Sequence, residues 1–127
     1  MQVIADTSFL MIPGMFGVDI AGELDRLLGR RHEFLILGSV MRELKKISQK
    51  GKPKERAGAK IGLLIAKSGK LVEDKGGADE SILKLAAVKK CPVGTIDAGL
   101  RKGLRKIGIP VIYLREMSHL AVDGDIE

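Results

Sequence analysis

Short apolar runs alternate with amphipathic stretches along this chain, and most of the runs stop at an acid or a glycine. Val3-Ile4-Ala5 ends at Asp6, and Phe34-Leu35-Ile36-Leu37 ends at Gly38. Val93 to Ile96 leads into Asp97, Leu71-Val72 is a brief run, and Val111-Ile112-Tyr113-Leu114 is the last strong one. Runs without polar alternation read as strands buried on both faces. Between them, helical spacing predicts a helix from Asp19, as its cap, to about Leu28. Further helices are expected from Ser39, as a cap, to about Gln49, and from Pro53 to about Lys67 with Ala57, Ile61, Leu64 and Ile65 inward. Two more run from Ala78 to about Lys90, and from Asp97 to about Lys106. Ile12-Pro13-Gly14 reads as a turn. Strands alternating with helices argue for an α/β fold whose parallel sheet is covered on both faces. No repeat, low-complexity tract or linker divides the sequence, so residues 1–127 are expected to be a single domain.

In such folds ligands bind outside the carboxyl ends of the strands. Composition limits the chemistry available there. One cysteine, Cys91, excludes a disulfide framework and a multi-cysteine zinc site, and two distant histidines exclude a histidine-rich one. Any metal must therefore take oxygen ligands. The longest strongly apolar run is too short to span a membrane, and Asp6 argues against a signal peptide. A soluble, cytoplasmic protein is the expectation. The net charge of +6 is local. Residues 42–60 hold eight bases (Arg42, Lys45, Lys46, Lys50, Lys52, Lys54, Arg56, Lys60) and two acids, while the remainder is neutral. A neutral body with one basic segment suits a polyanionic partner, although a solvated helix–loop–helix edge explains it equally well.

Four acids fall near one rim. Asp6 and Asp97 follow strands, Glu43 is one turn into a helix, and Asp79 is in the first turn of another. Capping alone accounts for acids at helix starts. Helical geometry, at about 100° per residue, separates some from the rest. Val40, Leu44 and Ile47 define a buried stripe with Glu43 at its edge, while Arg42, Lys45, Lys46 and Gln49 lie on the far side. Asp79 falls beside Ala86 and is read as inward. Glu80 falls near Lys84, an exposed i,i+4 pair. Inward carboxylates without bases need a partner. A hard cation such as Mg²⁺ or Mn²⁺ fits that need, and the basic segment beside Glu43 would steer a polyanion towards it.

These residues resemble a family. Asp6-Thr7-Ser8 after an apolar strand, Arg42-Glu43-Leu44, Ala78-Asp79-Glu80 and Thr95-Ile96-Asp97 look like the motifs of PIN-domain nucleases, in order and spacing. Leu10 to Gly14, Phe16 to Ile20 and Ile109 to Arg115 look like an archaeal branch. That branch is similar to the PIN domains of small-subunit ribosomal-RNA processing endonucleases and has also been labelled VapC-type toxin. The resemblance implies a three-layer α/β/α sandwich with a central, mainly parallel sheet. It implies an endoribonuclease dependent on Mg²⁺ or Mn²⁺. Asp6, Asp79 and Asp97 would be metal ligands, Glu43 a ligand directly or through water, and Thr95 the residue that orients Asp97 or a bound water. Arg42, Lys45, Lys46, Lys50, Lys52, Lys54 and Arg56 are the expected RNA contacts. Ribosomal precursor RNA, an antitoxin protein and a second copy of the chain are the expected partners.

The sequence departs from the family pattern twice. Ser8 stands where the first motif usually has Asn, and Ile96 where the last has Asn. Attenuated turnover is one expectation, since outer hydrogen bonds tune a metal site. The alternative is a weak or inactive RNA- or ribosome-binding module that kept the fold. Other folds fit less well. Haloacid-type phosphatases need a second Asp at position 8, and receiver domains need an adjacent acidic pair. Gly76-Gly77 and Ser68-Gly69-Lys70 make no phosphate loop. Cys91 is expected in the core.

Overall fold

The apolar runs form the strands of one sheet in the computed structural model, which describes residues 1–126. In chain order the elements are β1 (Gln2–Ala5), α1 (Thr7–Leu10), α2 (Ile12–Phe16), α3 (Ile20–Leu28), β2 (Glu33–Leu37), α4 (Gly38–Lys50) and α5 (Pro53–Lys67). They continue with β3 (Lys70–Val72), α6 (Ala78–Lys89), β4 (Val93–Gly94), α7 (Ala98–Lys106), β5 (Val111–Arg115) and β6 (His119–Asp123). The strand order is β3-β2-β1-β4-β5-β6. Every pairing is parallel except β5 with β6. Helices flank the sheet in a three-layer α/β arrangement. Val3, Ile4, Ala5, Val93, Val111 and Ile112 are fully buried, as a sheet covered on both faces requires.

The sheet grows outward in both directions from β1 and β4. Successive connections therefore diverge at that junction, which opens a crevice at the strand ends. Asp6 lies at the end of β1 and Thr95 at the end of β4. The junction is tight because residue 94 is glycine. A Cβ there would lie 2.7 Å from the ring of Phe9, which is fully buried in α1. Gly94 thus lets α1 fold back against β4 directly after Asp6.

The fold departs from the sequence reading at α2, β6 and α5. Ile12-Pro13-Gly14 belongs to helix α2 rather than a turn, because Pro13 sits in its first turn, where no intrahelical N–H bond is lost. The antiparallel strand β6 was not expected. It is an edge strand, mostly half-buried, so its sequence carries no continuous apolar run. The buried face of α5 is Gly58, Ala59, Gly62 and Ala66, whereas Ile61 is 40% and Leu64 67% exposed, and Ala57 is also exposed. The small residues are selected by close backbone approach. A Cβ on Gly14 of α2 would lie 2.5 Å from the Cα of Gly58, and one on Gly62 would lie 3.0 Å from the carbonyl oxygen of Leu10. Larger side chains on that face would hold the helices apart.

Helix α3 closes the β6 edge. Glu23 accepts the Leu120 amide at 2.8 Å, and Arg26 donates to the Leu120 carbonyl at 3.0 Å. No helix among the described residues is long and apolar enough to cross a membrane.

Candidate active site

Asp6 is buried at the crevice and is the N-cap of α1, with Oδ1 accepting the Thr7 amide at 2.7 Å. Its other oxygen, Oδ2, accepts two hydroxyls: Ser8 at 3.0 Å and Thr95 at 2.7 Å. Each hydroxyl also accepts a backbone amide from the segment entering α7. Ser8 Oγ takes that of Ile96 at 3.1 Å, and Thr95 Oγ1 takes that of Asp97 at 3.0 Å. A hydroxyl has one proton to give and lone pairs to receive. Both protons therefore go to one carboxylate oxygen, and both lone-pair sites go to the next loop. The arrangement ties the end of β1 to the end of β4 and fixes the Asp6 carboxylate in one orientation.

The other three acids stand around it on the exposed rim. Burial against the sheet end, then the charge of Asp6, push the Glu43 carboxyl above the usual range; the Thr7 hydroxyl offsets part of this, and Asp79 adds to it. Thr7 Oγ1 itself is buried with no partner at full hydrogen-bonding distance. Burial, then Asp6 and Asp97, likewise raise the Asp79 carboxyl. Asp79 does not cap its helix: the N-cap of α6 is Gly77, without a side-chain bond. It is exposed, however, rather than turned to the core as its helical angle suggested. The buried residues of α6 are Ser81, Ile82 and Ala86. Asp97 does cap its own helix, with Oδ1 accepting the Leu100 amide at 2.9 Å, so that oxygen is committed to α7. The Glu80–Lys84 pair forms on the surface at 3.1 Å, as expected.

Among the described residues the four rim acids form no ion pair with a base. The ion pairs of the described residues use Glu23, Asp25, Asp74, Glu80 and Asp123 instead. No three His, Cys, Asp or Glu side chains among the described residues converge closely enough to hold a metal ion together. The crowding of Glu43 by Asp6 and Asp79, and of Asp79 by Asp6 and Asp97, is a charge cost that a hard cation would relieve.

Of the basic segment, Lys46 and Lys50 line a shallow hollow with Glu43 and Ile47. Lys45, Lys52, Lys54 and Arg56 are exposed on α4, α5 and the loop between them. Arg42 is held instead by Asp74, at 3.8 Å. Asp74 was not singled out from the sequence. Ser39, expected to cap α4, lies inside the helix, and the N-cap is Leu37, which has no side-chain bond to give. Ser39 donates its hydroxyl to Asp74 at 2.6 Å.

A family model described as "PIN like domain" matches residues 3–117. The chain belongs to the PIN-like domain family. Ribonuclease VapC9 of Archaeoglobus fulgidus is 32% identical over 120 residues, 94% of this PIN-like chain and 87% of that one. Ribonuclease VapC4 of Methanocaldococcus jannaschii is 29% identical over 127 residues, with 97% of each chain covered. Among solved structures, that of the PIN domain endonuclease Utp24 is similar at a TM-score of 0.80 and 28% identity, over 99% of this chain and 93% of that one. A domain of a functionally unknown protein from Methanocaldococcus jannaschii shares the PIN-like fold at a TM-score of 0.62 and 16% identity.

Proposed function

We propose that the chain is an endoribonuclease that depends on Mg²⁺ or Mn²⁺ and hydrolyses RNA phosphodiester bonds at the β1–β4 crevice. The observation that carries this reading is the Asp6 carboxylate. It is buried, held by the Thr7 amide and the Ser8 and Thr95 hydroxyls, and neighboured by acids that form no ion pair among the described residues. Ribonuclease relatives and an endonuclease of the same fold support it.

In this reading Asp6, Glu43, Asp79 and the uncommitted oxygen of Asp97 hold the ion. A bound divalent ion supplies an activated water and charge stabilisation at the phosphoryl oxygens. Thr95 acts twice: its hydroxyl orients Asp6, and its lone pair fixes the backbone of Asp97. Lys46 and Lys50, beside Glu43, receive the RNA backbone, with Lys45, Lys52, Lys54 and Arg56 extending that path. Ser8, in the place of the usual Asn, both donates to Asp6 and accepts the Ile96 amide. At position 96 only the backbone amide is used. Ribosomal-RNA processing, a toxin-type ribonuclease role with an antitoxin, and a homodimer are all compatible with this chemistry.

The test is cleavage of structured and unstructured RNA with Mg²⁺ or Mn²⁺. EDTA and Asp6→Asn, with the fold checked by circular dichroism, are expected to abolish cleavage. Cleavage that survives both would overturn the reading. A second reading rests on Ile96, an apolar side chain 41% exposed beside Asp97. It is a non-cleaving RNA- or ribosome-binding module, and it predicts salt-sensitive RNA binding with no metal-dependent products.

A further inference from the structure

We propose that the outer face of α7 is a second surface for the RNA backbone, on which Asp123 aligns the guanidinium groups of Arg101 and Arg105, with Lys102 and Lys106 beside them. The inference rests on the endoribonuclease reading, because it takes the occupant of this face to be the polymer cut beside Asp97, where the helix begins. Residues 98–106 hold four bases and no acid. The neutrality of the chain outside residues 42–60 is a sum that conceals this cluster. At about 100° per residue the four bases fall within an arc of about 140°, and Leu100 and Leu104 lie outside it. The two leucines are buried and the two lysines are exposed.

The arginines are held from the β5–β6 hairpin. Arg101 Nε donates to Asp123 Oδ2 at 2.9 Å, and Arg105 Nε stands 3.2 Å from Asp123 Oδ1. Arg101 also lies over the Tyr113 ring, with Cζ 3.6 Å from the ring centroid. Gly124, at φ +104°, leaves room for Arg105, since a Cβ there would lie 2.8 Å from its Cζ. Both contacts with Asp123 use the inner nitrogen. The terminal nitrogens of Arg101 make no hydrogen bond among the described residues, and Arg105 gives one, from Nη1 to the Ile109 carbonyl at 3.4 Å. A guanidinium fixed through Nε keeps the terminal N–H pair that grips a phosphate. Four bases and one acid line the hollow on this face, together with Ala98. Neither lysine forms an ion pair among the described residues. One arginine would suffice to fasten β6 to α7, so the other three bases are a surplus of positive charge. Because the leucines of α7 are buried, that surplus suits a phosphodiester backbone rather than a lipid surface, which takes up apolar side chains. At about 1.5 Å per residue, α7 extends the path roughly 13 Å from the crevice.

The experiment is binding of a fluorescent single-stranded RNA in EDTA across a salt series. It compares the full chain with Lys102→Ala/Lys106→Ala, with Arg101→Lys, and with Lys67→Ala/Lys89→Ala, which removes two exposed lysines at the other end of the sheet. Lys102→Ala/Lys106→Ala is expected to weaken binding about 10-fold at low salt and to lower the log–log slope by about 1.4, two phosphates at about 0.7 each. Lys67→Ala/Lys89→Ala is expected to keep the wild-type slope. Arg101→Lys keeps the charge but loses the planar fork and its fit over Tyr113, and is expected to weaken binding about 3-fold at an unchanged slope. Wild-type affinity and slope in Lys102→Ala/Lys106→Ala overturn the inference, and the crevice reading stands if the wild-type chain still cleaves RNA. An equal loss in Lys67→Ala/Lys89→Ala also overturns it, because net charge alone then accounts for the effect. A wild-type chain that binds no RNA overturns both. If Arg101→Lys does not fold, the exposed lysine pair decides by the same criterion.

Discussion

Thr95 gives its hydroxyl proton to Oδ2 of Asp6 at 2.7 Å and accepts the amide of Asp97 at 3.0 Å. One side chain thus couples the orientation of the first acid to the backbone of the last. Thr95→Val keeps the shape and removes both bonds. It leaves a buried carboxylate oxygen short of a donor, a loss of about 1–3 kcal/mol. Cleavage is expected to fall about 10–100-fold while circular dichroism is unchanged. Thr95→Ser, which retains the hydroxyl, is expected to recover most of the rate.

Stability should respond to pH in a direction opposite to the common one. Glu43 and Asp79 titrate above ordinary carboxylates because of burial, followed by repulsion from Asp6. Between their unfolded and folded pKa values the native state binds more protons, so their contribution worsens as pH rises through that window. Glu43→Gln is therefore expected to raise the melting temperature at neutral pH, with the gain shrinking as pH drops below the usual glutamate range. Melting curves from pH 3 to 8 check this. A gain that is independent of pH would point to packing rather than charge.

Gly94→Ala places a methyl group against the Phe9 ring, at 2.7 Å before relaxation. Overpacking of this kind costs about 1–3 kcal/mol. The expected result is a lower urea midpoint together with reduced cleavage, because α1 carries Ser8. An Ala variant of full stability would show that Phe9 moves freely.

Helix α5 offers a contrast in the other direction. Gly14→Ala meets backbone at Gly58, whereas Gly58→Ala meets the flexible Met15 side chain, at 2.8 Å. Gly14→Ala should be the more destabilising of the two. Leu64→Ser, at an exposed position, should stay within about 0.5 kcal/mol. Chemical denaturation of the three variants ranks them.

RNA affinity should fall with salt along a log–log slope of about −0.7 per phosphate neutralised on a single strand. Lys46→Ala with Lys50→Ala is expected to flatten that slope in EDTA, where cleavage does not interfere. An unchanged slope would remove this part of α4 from the RNA path.

The central strands were legible because strands buried on both faces leave unbroken apolar runs, as at Val3-Ile4-Ala5 and Phe34 to Leu37. Strand β6 left none, since an edge strand needs to bury only part of its residues. Helix α5 misled for a related reason. Hydropathy favours Ile61 and Leu64, but the face is chosen by how near α2 and α4 approach, and glycine's lack of bulk leaves no hydrophobic signature. At the rim, Asp6, Glu43, Asp79 and Asp97 could be found from their positions after strands and at helix starts. The division of Asp97 between capping and the rim could not. Nor could Asp74, because its partner Ser39 is distant in sequence and becomes a neighbour only when β3 pairs with β2.

The stitching of Leu120 by Glu23 and Arg26 bears on how such a molecule associates. A sheet lengthens by recruiting strands at its margins, and here the outward amide and carbonyl of Leu120, on the β6 margin, are already taken by α3. The other margin is the three-residue β3, which opens with an exposed lysine. Short, charged borders resist recruitment. Strand addition to the native sheet is thereby disfavoured at both sides.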